Sequence, residues 1–198
     1  MKQKHEFKSI VAETLLIPLY MRAKESRRER PILNDKAAEC LADSLEYDYS
    51  RFDGAKLSEV GCVVRGWSFD RAVRRFIGTH ARPVVVNVGC GLDTRFQRIG
   101  GGKAVFYDMD LPEVIALRRE LIPEQPGNAY IAASLLETGW MDDLLRRHPV
   151  HLHRGRRADV LLREAGEVFP ARRSKPFRRG RTVVRRMWHD DEPARCET

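Results

Sequence analysis

The residues best suited to chemistry lie in one short stretch, Asn87-Val88-Gly89-Cys90-Gly91-Leu92-Asp93, and in two acids further on, Asp108 and Asp110. Glycine carries no Cβ, so Gly89 and Gly91 allow a nucleoside-bearing ligand to come close to the backbone. An acid at the end of the next strand, about 20 residues on, is placed to accept hydrogen bonds from ribose hydroxyls. A dinucleotide site also wants a third glycine three residues after the second, for packing near the pyrophosphate. Here that position is Thr94. A loop without that glycine, but followed by a ribose acid, suits S-adenosylmethionine better than NAD. The competing readings are an ordinary glycine turn and an NAD-binding oxidoreductase.

Such a loop must be carried by a strand and followed by a helix. Pro83 precedes Val84-Val85-Val86-Asn87-Val88, a β-branched run that suits a fully buried parallel strand. Ala104 to Asp108 reads as a second strand and Tyr130 to Ala133 as a third. Between them, Pro112-Glu113 makes a good first helical turn, with proline at its first position and an acid near the positive end of the dipole. A further helix is predicted from Trp140 to Arg147. Alternating strands and helices of this kind predict a doubly wound α/β domain. The first 80 residues read as helical. One helix is expected over 8–24, interrupted by Pro18. A second is capped by Asn34-Asp35, with Ala37, Ala38, Cys40, Leu41 and Leu45 facing inward. A third runs from Ser68 or Asp70 to about Ile77.

Composition limits the alternatives. A chain of 198 residues most simply forms one domain with a real core. No apolar run approaches the roughly 18–20 residues that span a bilayer. The charged start Met1-Lys2-Gln3-Lys4-His5-Glu6 is followed by no signal-peptide core. The expectation is therefore a cytoplasmic protein without membrane partners. Cys40, Cys62, Cys90 and Cys196 show no CxxC pair and no metal spacing, which fits reduced thiols. The net charge of +8 is unevenly spread: 23 Lys and Arg face 21 Asp and Glu through Val150, and 13 face 7 from His151 onward. The main body therefore carries no unusual field, and nucleic acid is not the expected partner.

Two further runs make the pattern specific. Val85-Val86-Asn87-Val88-Gly89-Cys90-Gly91-Leu92-Asp93-Thr94-Arg95 and Tyr107-Asp108-Met109-Asp110-Leu111-Pro112-Glu113-Val114 resemble the leucine carboxyl methyltransferase family. That family includes bacterial O-methyltransferases of the polyketide type. Leu16 to Ser26, Pro31 to Ala38, Val64 to Asp70 and Ser134 to Trp140 resemble it too, so the likeness covers about residues 7–149. It implies a Rossmann-like S-adenosylmethionine-dependent fold with a helical N-terminal cap, and methyl transfer to a carboxylate or hydroxyl of a small-molecule acceptor. It also implies roles. Arg65 would hold the methionyl carboxylate with its guanidinium fork. Gly89, Cys90 and Gly91 would flank the methionyl portion. Asp110 would bind the ribose while also capping the next helix, with Asp108 as its rival. Ser134 and Leu135 would lie beside adenine. Asp93 is expected to structure the loop, and Arg22 to help close the N-terminal helices over the cofactor. A catalytic base is not identified.

The resemblance stops near residue 150. The family continues with something close to Glu-Gly-Val-Leu-Met-Tyr, whereas the chain from His151 is arginine-rich and has no clear period. Back-translating His151 to Phe169 and shifting the frame forward by one nucleotide permits TFIAEGVLMYFSEKQVKSF, which contains the expected run. A second stretch in the same frame, from Arg178, permits a string resembling the family's next strand. The expectation is a cap over 1–82, a Rossmann-like cofactor part over 83–150, and a basic, frameshifted tail over 151–198. The C-terminal strands would then be missing, and the product poorly stable and inactive. The rival reading of the tail is a basic segment that binds nucleic acid or acidic surfaces. His151-x-His153 has no further ligands near it that would make it a metal pair.

Overall fold

A computed structural model describes residues 10–54, 56–100, 102–137, 139–148 and 158–164. Its sheet is built outward from β1 (Arg82–Val88), where every residue after Arg82 is buried. β2 (Val105–Asp110) and then β3 (Asn128–Ala132) lie on one side of β1. β4 (Ala158–Glu164) lies on the other. Among the described residues the order is β3-β2-β1-β4 and all pairings are parallel. A parallel strand with both faces covered needs no polar side, which is why β1 reads as an unbroken valine run.

The helices cover the two faces. Val84, Val86 and Val88 pack with Tyr107 and Met109 against Trp140 and Leu144 of α6 (Gly139–Arg147). Val85 and Phe106 point the other way, towards Val73 of α3 (Lys56–Thr79) and Phe96 of α4 (Arg95–Ile99). α5 (Pro112–Leu121) joins β2 to β3 and buries Val114, Ile115 and Arg118. The cap consists of α1 (Ile10–Ser26) and α2 (Lys36–Ser44). Its core of Leu16, Leu19, Ala23, Ala38, Leu41, Ala42 and Leu45 also takes in Leu92 and Ile122 from the α/β part. The glycine-rich loop therefore places a side chain directly in the core of the cap.

Several boundaries differ from the sequence reading, each for a local reason. α1 continues through Pro18 to Ser26, because burial of Leu16, Leu19, Met21 and Ala23 outweighs one lost backbone bond. α2 is capped by Asp35, whose carboxylate accepts from the Ala38 amide at 3.0 Å. Cys40, expected inside, is exposed, and Ala42 takes the inward position. α3 begins at Lys56, before the predicted start, and runs through Gly61 and Gly66. Gly66 is used for contact: a Cβ there would lie 3.1 Å from Leu33 Cδ2.

The largest difference lies in the segment read as tail. β4 falls at Ala158–Glu164 and pairs with β1 along its whole length, from Arg82 opposite Ala158 to Val88 opposite Glu164. A fourth strand is within the expectation of a Rossmann-like sheet cut short after its third or fourth strand, but its place inside the segment read as tail was not foreseen. The Val160-Leu161-Leu162 centre suits a strand, and it covers the edge of β1 that β2 leaves open. His151, His153 and the residues after Glu164 lie outside the described residues.

Beneath the loop runs a buried ion network. Asp70 of α3 accepts from Arg95 Nε at 2.8 Å and from Arg98 Nε at 2.7 Å. All three side chains are almost wholly inaccessible. Removing one partner of a buried pair typically costs about 3–5 kcal/mol, because the other charge is left without compensation. Asp70→Ala should therefore lower the unfolding free energy by about that amount in a denaturant titration, and a change below about 1 kcal/mol would contradict the packing described.

Candidate functional site

The strand order reverses at β1, since β2 lies to one side and β4 to the other. In open parallel sheets the crevice at the carboxyl ends of the strands at such a point is where ligands bind. Residues 89–93 leave β1 there. Gly89 has φ +62° and Gly91 φ +47°, both left-handed. At Gly91 the space is also tight: a Cβ would stand 3.0 Å from Leu15 Cδ2 of α1.

The loop is held on every side. The Cys90 amide donates to Met109 O at 3.1 Å, and the Asp93 amide to Cys90 O at 2.8 Å. The Gly91 amide donates to Asp110 Oδ2 at 2.8 Å. Three successive carbonyls accept from two arginines. Arg118 donates to Gly91 O at 2.8 Å and to Asp93 O at 2.7 Å. Arg22 of α1 donates to Leu92 O at 2.8 Å and pairs through Nε with Asp35 at 3.0 Å.

The two candidate acids part company. Asp108 is buried and its carboxylate accepts from Asn87 Nδ2 at 2.9 Å, Arg118 Nη2 at 2.7 Å and Asn128 Nδ2 at 3.0 Å. Its place is in the core. Asp110 is half-buried at the carboxyl end of β2, and its Oδ1 accepts from the Leu111 amide at 2.8 Å. Of the two, only Asp110 combines access with contact to the loop.

Electrostatics keep this region charged but balanced. Burial alone would raise the Asp93 carboxyl, yet Arg95, Arg98, Arg22 and Arg118 hold it well below the usual carboxylate range. Burial disfavours the Arg118 cation, but its neighbours together, Asp108 foremost and Asp93 among them, more than compensate and the guanidinium stays charged. Cys90 differs. Its side chain packs with Ile115 and Tyr130, and burial pushes its thiol well above the ordinary value. A neutral, buried thiol is a poor nucleophile, so Cys90 serves the loop through its backbone. Among the described residues no group of His, Cys, Asp and Glu could hold a metal ion, and no helix is long and apolar enough to cross a membrane.

The model of the leucine carboxyl methyltransferase family matches residues 16–165, most of the chain. The chain belongs to the leucine carboxyl methyltransferase family. The tetracenomycin polyketide synthesis O-methyltransferase TcmP of Streptomyces glaucescens is 38% identical over 140 residues, which cover 70% of this chain and 52% of that protein. The S-adenosyl-L-methionine-dependent methyltransferase dpfgK of Gibberella zeae is 31% identical over 123 residues, 57% of this chain and 41% of that protein. The chain thus spans about half the length of the first relative and less of the second.

As a member of this family the chain presents its expected site residues unevenly. Gly89, Cys90, Gly91 and Asp110 are brought together. Ser134 and Leu135 sit just past β3, next to that group, since the Ala133 amide donates to Asp110 O at 3.0 Å. Arg65 lies on the exposed side of α3, apart from that group, with Nη2 3.9 Å from Cys62 Sγ. The sequence reading did not single out Leu111, which is 40% exposed at the end of β2 and matches Leu135, 39% exposed, beyond β3. Nor did it notice Arg118. The available signal was its spacing from Val114 and Ile115, which puts an arginine on the buried stripe of α5.

Gly91→Ala adds a methyl group against Leu15 in a left-handed conformation. It should cost about 1–2 kcal/mol of stability, read as a lowered midpoint in thermal unfolding. A midpoint within a degree or so of the parent would mean that the loop is not held as described.

Proposed function

We propose that this chain binds S-adenosyl-L-methionine across the carboxyl ends of β1, β2 and β3, as the cofactor site of an O-methyltransferase. The observation that carries the reading is Thr94. At the position where a dinucleotide site needs a packing glycine, Thr94 is buried and donates its hydroxyl to the Asp35 carboxylate of the cap, within 2.7 Å of both oxygens. That arrangement supports a ligand without a pyrophosphate.

In this reading Asp110 accepts from the ribose hydroxyls. It is already oriented by the Gly91 and Leu111 amides, and each carboxylate oxygen retains a lone pair. Leu111 and Leu135 offer apolar surface to the adenine ring, beside Ser134. Gly89, Cys90 and Gly91 present backbone to the methionyl portion. Arg65, which has no carboxylate partner among the described residues, is assigned the methionyl carboxylate by the family resemblance. When bound, the cofactor supplies an electrophilic methyl group.

The residues present serve alignment and exclusion of water rather than proton transfer. That suits a carboxylate acceptor, which is ionised at neutral pH with a pKa of roughly 3.5 and needs no base. A phenol or alcohol would need one, and no described residue stands out for that role. By analogy with the polyketide O-methyltransferase relative, the acceptor is a small polyketide-like molecule. The described residues support cofactor binding more directly than turnover, and low turnover is part of this proposal.

Calorimetric titration of the full chain tests the reading. S-adenosylmethionine and S-adenosylhomocysteine should bind at least about tenfold more tightly than NAD, and Asp110→Asn should weaken both by about tenfold, equal to about 1.4 kcal/mol. NAD binding as tight as S-adenosylmethionine would overturn it in favour of the oxidoreductase reading.

A further inference from the structure

We propose that Arg118 and Arg22 are positioning residues, which pin three successive carbonyls of the glycine-rich loop and so shape it for the amino-acid end of the cofactor. This rests on the cofactor reading above.

Arg118 has no exposed surface. Burying a guanidinium costs several kcal/mol of desolvation, and an apolar side chain of similar size often serves packing as well or better. Its buried neighbours Ile115 and Tyr130 are apolar in character, and the guanidinium lies 4.8 Å from the Tyr130 ring centroid. What arginine supplies at this position, and leucine could not, is a set of fixed donors. Its Nη1 donates to Gly91 O, and its Nη2 to both Asp93 O and the Asp108 carboxylate. Arg22 reaches Leu92 O out of the cap, from an element other than the one that carries Arg118.

The peptide unit is planar, so fixing a carbonyl fixes the amide of the following residue in the opposite direction. Between them the two arginines set three consecutive planes, from Gly91 to Thr94. Unpinned, a loop with two left-handed glycines would sample many orientations. Pinned, it meets the ligand already arranged, and little ordering remains to oppose binding. Neither arginine need touch the ligand. Asp108 has a matching role, anchoring Arg118 rather than binding ribose.

The test compares S-adenosylhomocysteine with 5′-methylthioadenosine, which has the same nucleoside but no amino-acid end. Arg118→Lys keeps a cation opposite Asp108 but loses the planar fork that reaches two carbonyls. By calorimetry on the full chain it should bind S-adenosylhomocysteine at least about tenfold more weakly, while 5′-methylthioadenosine changes less than about threefold. Arg22→Lys, which lies in a different packing environment, should shift the same preference in the same direction, and it carries the test if Arg118→Lys does not fold. Equal losses for both ligands, or no loss for either, in a variant that melts cooperatively would overturn the proposal while leaving the cofactor reading intact. Failure of both variants to melt cooperatively would also overturn it, since the arginines would then serve folding. A parent chain that binds neither nucleoside would remove the cofactor reading and this inference with it.

Discussion

Four buried arginines, Arg22, Arg95, Arg98 and Arg118, face four aspartates, Asp35, Asp70, Asp93 and Asp108, at the junction of cap and sheet. So much charge is tolerated inside a small protein only where each group has close opposite charge and hydrogen bonds. The requirement is restrictive. Asp35 caps α2 and, in the same place, takes Arg22, Arg98 and Thr94. Asp70 ties α3 to α4 through two arginines, and Arg95 goes on to reach Asn87 Oδ1 at 2.9 Å. If one element shifts, several charges lose their partners together. The loop after β1 inherits that rigidity, because its carbonyls are among the acceptors.

This changes what the cap is for. Leu15 fills the space over Gly91, Leu92 enters the cap core, and Arg22 holds the Leu92 carbonyl. The first helix is therefore part of the loop's own support. The same logic explains the fate of the two acids. A carboxylate in the middle of a parallel strand needs internal partners, and Asp108 has three. A carboxylate at the strand's end keeps access to the crevice, and that is Asp110. The family to which the chain belongs fits this arrangement, although its curated relatives extend well beyond the part that matches.

Much of the α/β part was legible in the sequence, because each element leaves a strong local mark. The valine run gave β1, Pro112-Glu113 gave the start of α5, and Gly89-x-Gly91 gave the turn between β1 and α4. The early start of α3 was hidden by Gly61 and Gly66, which lower local helix propensity while tertiary packing holds the helix. Cys40 was misplaced because periodicity alone does not say which flank of a short amphipathic helix is covered. The position of β4 was not legible because its apolar centre is three residues long and set among arginines. The network was invisible for a different reason: its partners lie up to 63 positions apart, and nothing in a local pattern pairs Asp35 with Arg98. Only the inward register of Arg118 hinted at it.

The loop is built before any ligand arrives, held by buried charge from the cap and from α5. Amide hydrogen exchange across residues 89–98 of the unliganded full chain addresses it most directly. Exchange about as slow as that of β1, and little changed when S-adenosylhomocysteine is added, is the predicted result. Exchange as fast as that of an exposed turn, slowing only once the ligand is present, would contradict it.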